Sequence, residues 1–502
     1  MQLNARGRHH PISFFALLLI LVVLPSQVAA LGDHPPASNT PWADTLAAQV
    51  DELFADWHRP DSPGAAVLVV RDGEILHGRG YGMASLEHGV PIDTRTVFDI
   101  ASVSKQFAAF AVALLEAEGA LSVDDDVRSY IPELPDFGHT ITIRHLIHHT
   151  SGLRDWPGTL SMGGWDYEDV LSFEQILRMA RHQEDLNFVP GSEYAYSNTG
   201  YNLLAEIVAR VSGTSFRAFT RERIFQPLGM HQTHFHDDHG EVIPGRAESY
   251  RPRGGADTDG HRRVTNNLTA LGSSSLFTTV EDLARWIRNF DEPVVGGAGV
   301  VERMYQQGVL NDGDTIGYAW GQTVGSLRGL TAVSHGGSWA GYRTTLLRFP
   351  EQRLAVVILA NTSDMNPGSM ANRIAQLYLA DELPPEVAES PAEDGRPGSG
   401  AGQGTVHEDP EPWTPAPEAL EEYTGVYTSP ELATAYTLEL RDGVLVAAHF
   451  RRGDRAFRPV EPDRFQGSGF GEIRFLRDDL GNIVAFTANQ TRIRGLRFER
   501  IP

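Results

Sequence analysis

The sequence predicts a mixed α/β (α+β) fold: an antiparallel sheet with helices packed on it, followed by a small antiparallel β-barrel. Three observations lead there. β-type apolar runs stand near both ends of residues 40–383, with amphipathic helical patterns between them. Residues 384–416 are rich in Pro, Gly, Glu and Asp and read as an inter-domain linker. Residues 417–502 show only short strands punctuated by turn signals at regular spacing.

Ala65 to Val70 is an apolar run of β type, and Arg71-Asp72-Gly73-Glu74 signals a hairpin whose returning strand runs from Glu74 to Gly82. The next pattern is helical, with Phe107, Phe110, Ala111, Leu114 and Leu115 on one face and an end near Gly119. Tyr201 to Val211 is a second amphipathic helix, stopped by Gly213. Val280 to Phe290 is a third, with Thr279 as its N-cap. Thr344 to Phe349 and Leu354 to Ala360 read as paired strands around Pro350-Glu351-Gln352. Strands at both ends of this region predict one sheet that the two ends close together. Beyond the linker, Tyr436–Leu440 pairs with Val444–Phe450, and Ile473–Leu476 with Ile483–Thr487. Phe450, Phe457, Phe465, Phe475, Phe486 and Phe498 are assigned to the barrel core, and the barrel to a packed accessory role over the cleft rather than to ligand binding.

Composition narrows the function. The chain has 502 residues and a formal net charge of −23, which argues against a nucleic-acid partner, since phosphate binding needs a basic face. Cysteine is absent, so disulfides, thiolate metal sites and a cysteine nucleophile are excluded. Residues 1–30 read as a signal peptide: Arg6 and Arg8, an apolar run from Ile12 to Leu24, Pro25, then Val28-Ala29-Ala30 before a mature start near Leu31. The run is short for a span, which needs ~20 apolar residues. A bacterial periplasmic or secreted protein with no stable membrane span after cleavage is expected. The sequence leaves the oligomeric state open.

The chemistry centres on Lys105, the only lysine; the other 41 of the 42 basic residues are arginine. A guanidinium stays protonated, whereas a buried ammonium can lose its proton and serve as a base. Ser102 stands three residues earlier, so Ser102-Val103-Ser104-Lys105 has the S-x-x-K pattern, and i, i+3 spacing at a helix start puts hydroxyl and amine on one side. Tyr196-Ser197-Asn198 offers a phenol that can relay a proton and an amide that can hold a substrate carbonyl and the lysine. His335-Gly336-Gly337-Ser338 follows a β-run. Gly337 permits close approach of a substrate backbone, and the N–H of Ser338 pairs with that of Ser102 as oxyanion donors.

In this order the three motifs resemble the serine β-lactamase and penicillin-binding superfamily. Phe98-Asp99-Ile100-Ala101 before Ser102, the His149-Thr150-Ser151-Gly152-Leu153 segment, the Pro190-Gly191 lead-in and Leu276-Phe277-Thr278-Thr279 fit the same resemblance. It covers about residues 40–380 and implies a β-lactamase/transpeptidase-like sheet with a helical lobe and the site between them. It further implies Ser102 as nucleophile, Lys105 as base, Tyr196 as proton relay, and Asn198 and His335 as substrate-positioning residues, with no cofactor. Most members have Lys where His335 stands. H-x-G is similar to the D-aminopeptidases and family esterases, and residues 417–502 resemble the lipocalin-like C-terminal barrels of the D-aminopeptidases. The expected function is hydrolysis of an ester, D-aminoacyl amide or peptide through an acyl-enzyme. A class C-like β-lactamase or DD-peptidase, and a non-catalytic binding module, are the alternatives. Arg343 is a candidate for gripping a substrate carboxylate.

Two other chemistries fit the sequence less well. Gly336-Gly337-Ser338-Trp339-Ala340 fails the G-x-S-x-G pattern of α/β-hydrolases at its last position. His231, His234, His236 and His239 crowd with Asp237 and Asp238, a set able to hold zinc, but no H-E-x-x-H accompanies them and a polar loop accounts for the run, so no metal site is assigned.

Overall fold

A computed structural model describes residues 41–254, 260–384 and 413–501. The signal-peptide region and most of the 384–416 linker lie outside the described residues. Among the described residues no helix is long and apolar enough to cross a membrane.

The central sheet has six antiparallel strands: β1 (Ala65–Arg71), β2 (Glu74–Tyr81), β3 (Thr323–Leu327), β4 (Leu330–Trp339), β5 (Tyr342–Phe349) and β6 (Leu354–Ala360). Their order is β3-β4-β5-β6-β1-β2, so β1 and β6, far apart in the chain, are neighbours. They pair from Ala65↔Ala360 to Arg71↔Leu354. Asp72 and Gly73 take positive φ (52° and 78°), the turn geometry that Asp-Gly favours. β6 reads Leu-Ala-Val-Val-Ile-Leu-Ala and is buried throughout, because helices cover both faces of the sheet.

Side chains alternate along β1. Ala66, Leu68 and Val70 enter the larger core, shared with α2 (Lys105–Ala117), α3 (Asn198–Ser212) and α4 (Val280–Asp291). Ala65, Val67 and Val69 enter the second core, under α1 (Pro41–Leu53) and α5 (Pro367–Tyr378). Each buried Val or Leu contributes about 1.5–3 kcal/mol. Thr279 caps α4 by accepting from the Asp282 N–H, and Gly213 ends α3 in the left-handed region (φ 69°).

The C-terminal part is a closed antiparallel barrel of eight strands: β7 (Gly425–Ser429), β8 (Thr434–Arg441), β9 (Val444–Ala448), β10 (Arg455–Glu461), β11 (Arg464–Gly467), β12 (Gly471–Arg477), β13 (Ile483–Gln490) and β14 (Ile493–Arg500). Tyr427, Tyr436, Phe457, Phe465, Phe470, Phe475, Phe486 and Phe498 fill its interior. Phe450 does not belong to that core; it is 88% exposed. Leu445 and Ala447 point inward on β9, so parity sends His449 inward and Phe450 out.

The barrel docks on the first domain through buried polar contacts. Arg154 Nη1 lies 3.0 Å from Glu431 Oε2, and both side chains are almost fully buried. The Tyr436 hydroxyl donates to the Met162 carbonyl at 2.9 Å. Ile493 fills the space a Cβ at Gly158 would need, with its Cδ1 2.7 Å from that position.

Candidate active site

Ser102 lies in a short 3₁₀ turn, Ala101–Ser104, that leads directly into α2. The turn is entered through Ala101 at φ 47°, an uncommon conformation for a residue with a side chain. The buried Asp99 carboxylate holds it there: Oδ1 accepts from the Ala101 N–H at 2.8 Å and Oδ2 from Asn266 Nδ2 at 2.8 Å. The turn sits against β4 where that strand has left β3: β3 pairs with β4 only as far as Ser334, while β5 pairs with it through Trp339, so one edge of His335–Trp339 faces the Ser102 turn instead of β3.

Gly337 is needed at this contact. A Cβ there would fall 2.2 Å from the Ile100 carbonyl oxygen and 2.2 Å from Thr344 Oγ1. Its bare backbone therefore admits the chain's own Ile100 carbonyl, which also accepts from Thr344 Oγ1 at 2.9 Å. Close approach of a substrate backbone is the weaker reason for this glycine.

Lys105 is fully buried and its Nζ makes three contacts: Ser102 Oγ at 3.1 Å, Asn198 Oδ1 at 2.7 Å and the Ser273 carbonyl at 2.8 Å. Two of these partners can only accept. A neutral amine has two N–H donors and one lone pair. In the neutral form those donors go to Asn198 and Ser273 and the lone pair faces the Ser102 hydroxyl; in the ammonium form the third N–H donates to Ser102 Oγ. Burial holds the Lys105 pKa well below its ordinary value; Asp155 opposes that fall and Arg492 adds to it.

Asn198 is oriented by Asp155. Its Nδ2 donates to Asp155 Oδ1 at 2.9 Å and Oδ2 at 3.2 Å, which turns Oδ1 towards Lys105. Asp155 also accepts from the Asn198 backbone N–H at 2.8 Å and from Arg492 Nη1 at 3.2 Å. Arg492 sits on the two-residue turn between β13 and β14, with its guanidinium 4.7 Å from the centre of the Tyr196 ring. Tyr196 is half-buried, and Lys105 Nζ is 4.9 Å from its ring centre. Burial pushes the Tyr196 phenol well up from its ordinary value, and the Ser102 hydroxyl offsets part of the rise.

His335 Nδ1 is 2.6 Å from the Gly336 carbonyl and Nε2 3.1 Å from the Tyr318 hydroxyl. A carbonyl only accepts, so Nδ1 carries the proton and Nε2 accepts from Tyr318. Burial lowers the His335 pKa to about 3, and the ring is neutral at pH 7. It therefore supplies no cation for a substrate carboxylate. Arg343 lines the same cavity, and its Nη1 donates to the Tyr342 and Ala340 carbonyls at 2.7 and 3.3 Å.

The structure thus brings together Ser102, Lys105, Tyr196, Asn198, His335, Gly337 and Ser338 around one cavity of about 1090 Å³. Sequence reasoning missed Asp155, Ser273, Tyr318 and Arg492. Asp155 precedes Trp156-Pro157 and reads as a helix cap, although its side chain makes no capping bond. Ser273 acts through its backbone, which leaves no mark in the sequence.

Residues 45–381 match the Beta-lactamase family. The chain belongs to that family. It is 31% identical to Penicillin-binding protein 4* of Bacillus subtilis (strain 168) over 341 residues, 65% of this chain and 74% of the relative. It is 29% identical to a D-aminopeptidase of Gluconobacter oxydans (strain 621H) over 316 residues, 63% of this chain but only 58% of that enzyme. Among solved structures, the octameric penicillin-binding protein homologue from Pyrococcus abyssi superposes with a TM-score of 0.59 at 21% identity, over 91% of this chain and 99% of that one. That likeness shows a shared fold.

Proposed function

We propose that this family member is a serine hydrolase that forms an acyl-enzyme on Ser102, exported from a bacterial cell by its N-terminal segment. The observation that carries the reading is the buried Lys105 Nζ 3.1 Å from Ser102 Oγ, in surroundings that hold its pKa well below the ordinary value. Lys105 takes the hydroxyl proton as Ser102 Oγ attacks the acyl carbon. The backbone N–H groups of Ser102 and Ser338 stabilise the oxyanion. Tyr196 passes a proton to the leaving group, the acyl–leaving-group bond breaks, and water then releases the acyl group with the same residues acting in reverse. Asn198 holds Lys105 and the substrate carbonyl.

The substrate is an ester, a D-aminoacyl amide or a peptide. The cavity wall favours those with a free carboxylate. Arg343, Arg373 and Arg492 line it, against the single carboxylate of Asp155, which Asn198 and Arg492 already occupy. A substrate ammonium group has no free counter-charge among the described lining residues. β-Lactam turnover is the second reading, with one of these arginines in place of the missing lysine.

The test is Ser102-dependent turnover of a p-nitrophenyl ester, a D-alanine p-nitroanilide, a carboxylate-terminated D-peptide and a cephalosporin, with Ser102→Ala as blank. Ester, amide or peptide cleavage without cephalosporin turnover supports the reading. Rapid cephalosporin turnover reassigns the chain as a β-lactamase. No Ser102-dependent turnover on any of them defeats the proposal in favour of a binding module.

A further inference from the structure

His234 and His236 flank Phe235 at the end of a two-residue strand, His234–Phe235, that pairs with Leu276–Thr278. Phe235 enters the core, and the alternation of a strand puts the two imidazoles on the opposite side together. Their ring centres are 6.0 Å apart, and both pack on the Phe277 ring. His236 is 2% exposed, yet neither ring nitrogen has a hydrogen-bond partner, and His234 Nε2 has none either. Leaving a buried imidazole nitrogen without a partner costs free energy, so these three atoms are conspicuous.

Glu241 completes the cluster. One ligand atom from each of His234, His236 and Glu241 lies within 4.8 Å of the others, and Glu241 Oε2 is 3.8 Å from His236 Nδ1. That gap is too long for a hydrogen bond and suited to an ion between them. Tetrahedral coordination with bonds of about 2.0–2.1 Å separates ligand atoms by roughly 3.4 Å, so closure needs side-chain shifts of about an ångström. The charges fit a dication. Glu241 and Asp237 both pair with Arg217, so two neutral rings, two carboxylates and one guanidinium carry a net charge of −1. Arg217 grips Glu241 through both its terminal nitrogens, as the outer partner of a metal-binding carboxylate does. Arg246 lies on the Phe277 ring at 5.1 Å and is the opposing charge that the site must overcome.

We propose that His234, His236 and Glu241 form a site for one transition-metal dication of the zinc class, with a water as fourth ligand. Two nitrogens and one oxygen suit zinc, cobalt or nickel, and not calcium or magnesium. The ion's role is structural. It ties Glu241 of the following loop to the His234–Phe235 strand, which pairs with Leu276 and Phe277 just after Ser273–Ser275, and Ser273 supplies a carbonyl to Lys105. Of the six residues that crowd in the sequence, only His234 and His236 take part; His231, Asp237, Asp238 and His239 are exposed.

The test uses the full chain purified without a histidine tag and stripped with a chelator. Titration with Co²⁺ should give the intense visible absorption of a tetrahedral site at one equivalent, displaced by Zn²⁺, and Zn²⁺ should raise the melting temperature. His236→Gln and Glu241→Gln should weaken Zn²⁺ binding at least ~100-fold, more than the loss of an outer partner does. His234→Gln, at a partly exposed ring, serves if the His236 variant fails to fold. All three should keep Ser102-dependent turnover. Absence of one-equivalent binding, or binding and thermal shift unchanged in the variants, overturns the proposal.

Discussion

Arg492 of the barrel and Asp155 of the first domain form an ion pair, Nη1 to Oδ2 at 3.2 Å, across the domain boundary and inside the candidate active site. Through it the barrel reaches Asn198, Lys105 and Ser102 in turn, each by a hydrogen bond. The barrel thus places one charge beside the proposed base, adding to the fall in the Lys105 pKa that burial causes.

Removing Arg492 leaves Asp155 unopposed, and a nearer net negative charge favours protonated Lys105. Arg492→Ala should therefore move the acidic limb of the kcat/KM pH profile to higher pH. Arg492→Lys should restore most of it. An unchanged limb in Arg492→Ala would show that the pair is only architectural.

Lys105→Arg keeps the charge and loses the base. Turnover should fall roughly 100- to 10,000-fold, nearly as far as in Ser102→Ala, with the variant still folded by circular dichroism. Near-normal turnover would remove Lys105 from the mechanism.

The Arg154–Glu431 pair is buried on both sides. Breaking one partner strands the other charge, at about 3–5 kcal/mol, whereas replacing both with apolar residues of similar volume is far milder. Glu431→Ala should lower the denaturation midpoint markedly, and the double variant Arg154→Met with Glu431→Leu should recover part of the loss.

His335 and His148 are buried neutral, with pKa values lowered to about 3 and about 4. Between those values and 6.5 the unfolded chain takes up protons that the folded chain refuses, so stability falls as pH drops through that window and is fully present above it. At pH 5 each histidine costs the fold about 2 kcal/mol. The melting temperature should be lower at pH 5 than at pH 7.5, and His148→Gln should flatten the slope relative to its own pH 7.5 value.

The Ser102–Lys105 pairing was legible because it is local: two residues three apart on one helical segment are neighbours wherever the segment lies. The strands were legible for a similar reason, since apolar runs and Asp-Gly turns act over a few residues. Phe450 was misplaced because β9 begins at Val444 as expected but ends at Ala448, and the alternation that sends Leu445 and Ala447 inward leaves residue 450 on the outside. The histidine cluster was visible as a crowd, but its third member is Glu241, held by Arg217 rather than by any pattern in the run.

By itself, the sequence determined the family, the serine with its lysine three residues on, and a C-terminal barrel. Tertiary structure alone decided that Arg492 reaches Asp155, that Asp155 turns Asn198 towards Lys105, and that Gly337 admits the Ile100 carbonyl. Asp155 and Arg492 stand 337 residues apart. No helical or strand period spans such a separation; only the closure of the barrel and its docking over buried Arg154 bring the two charges together.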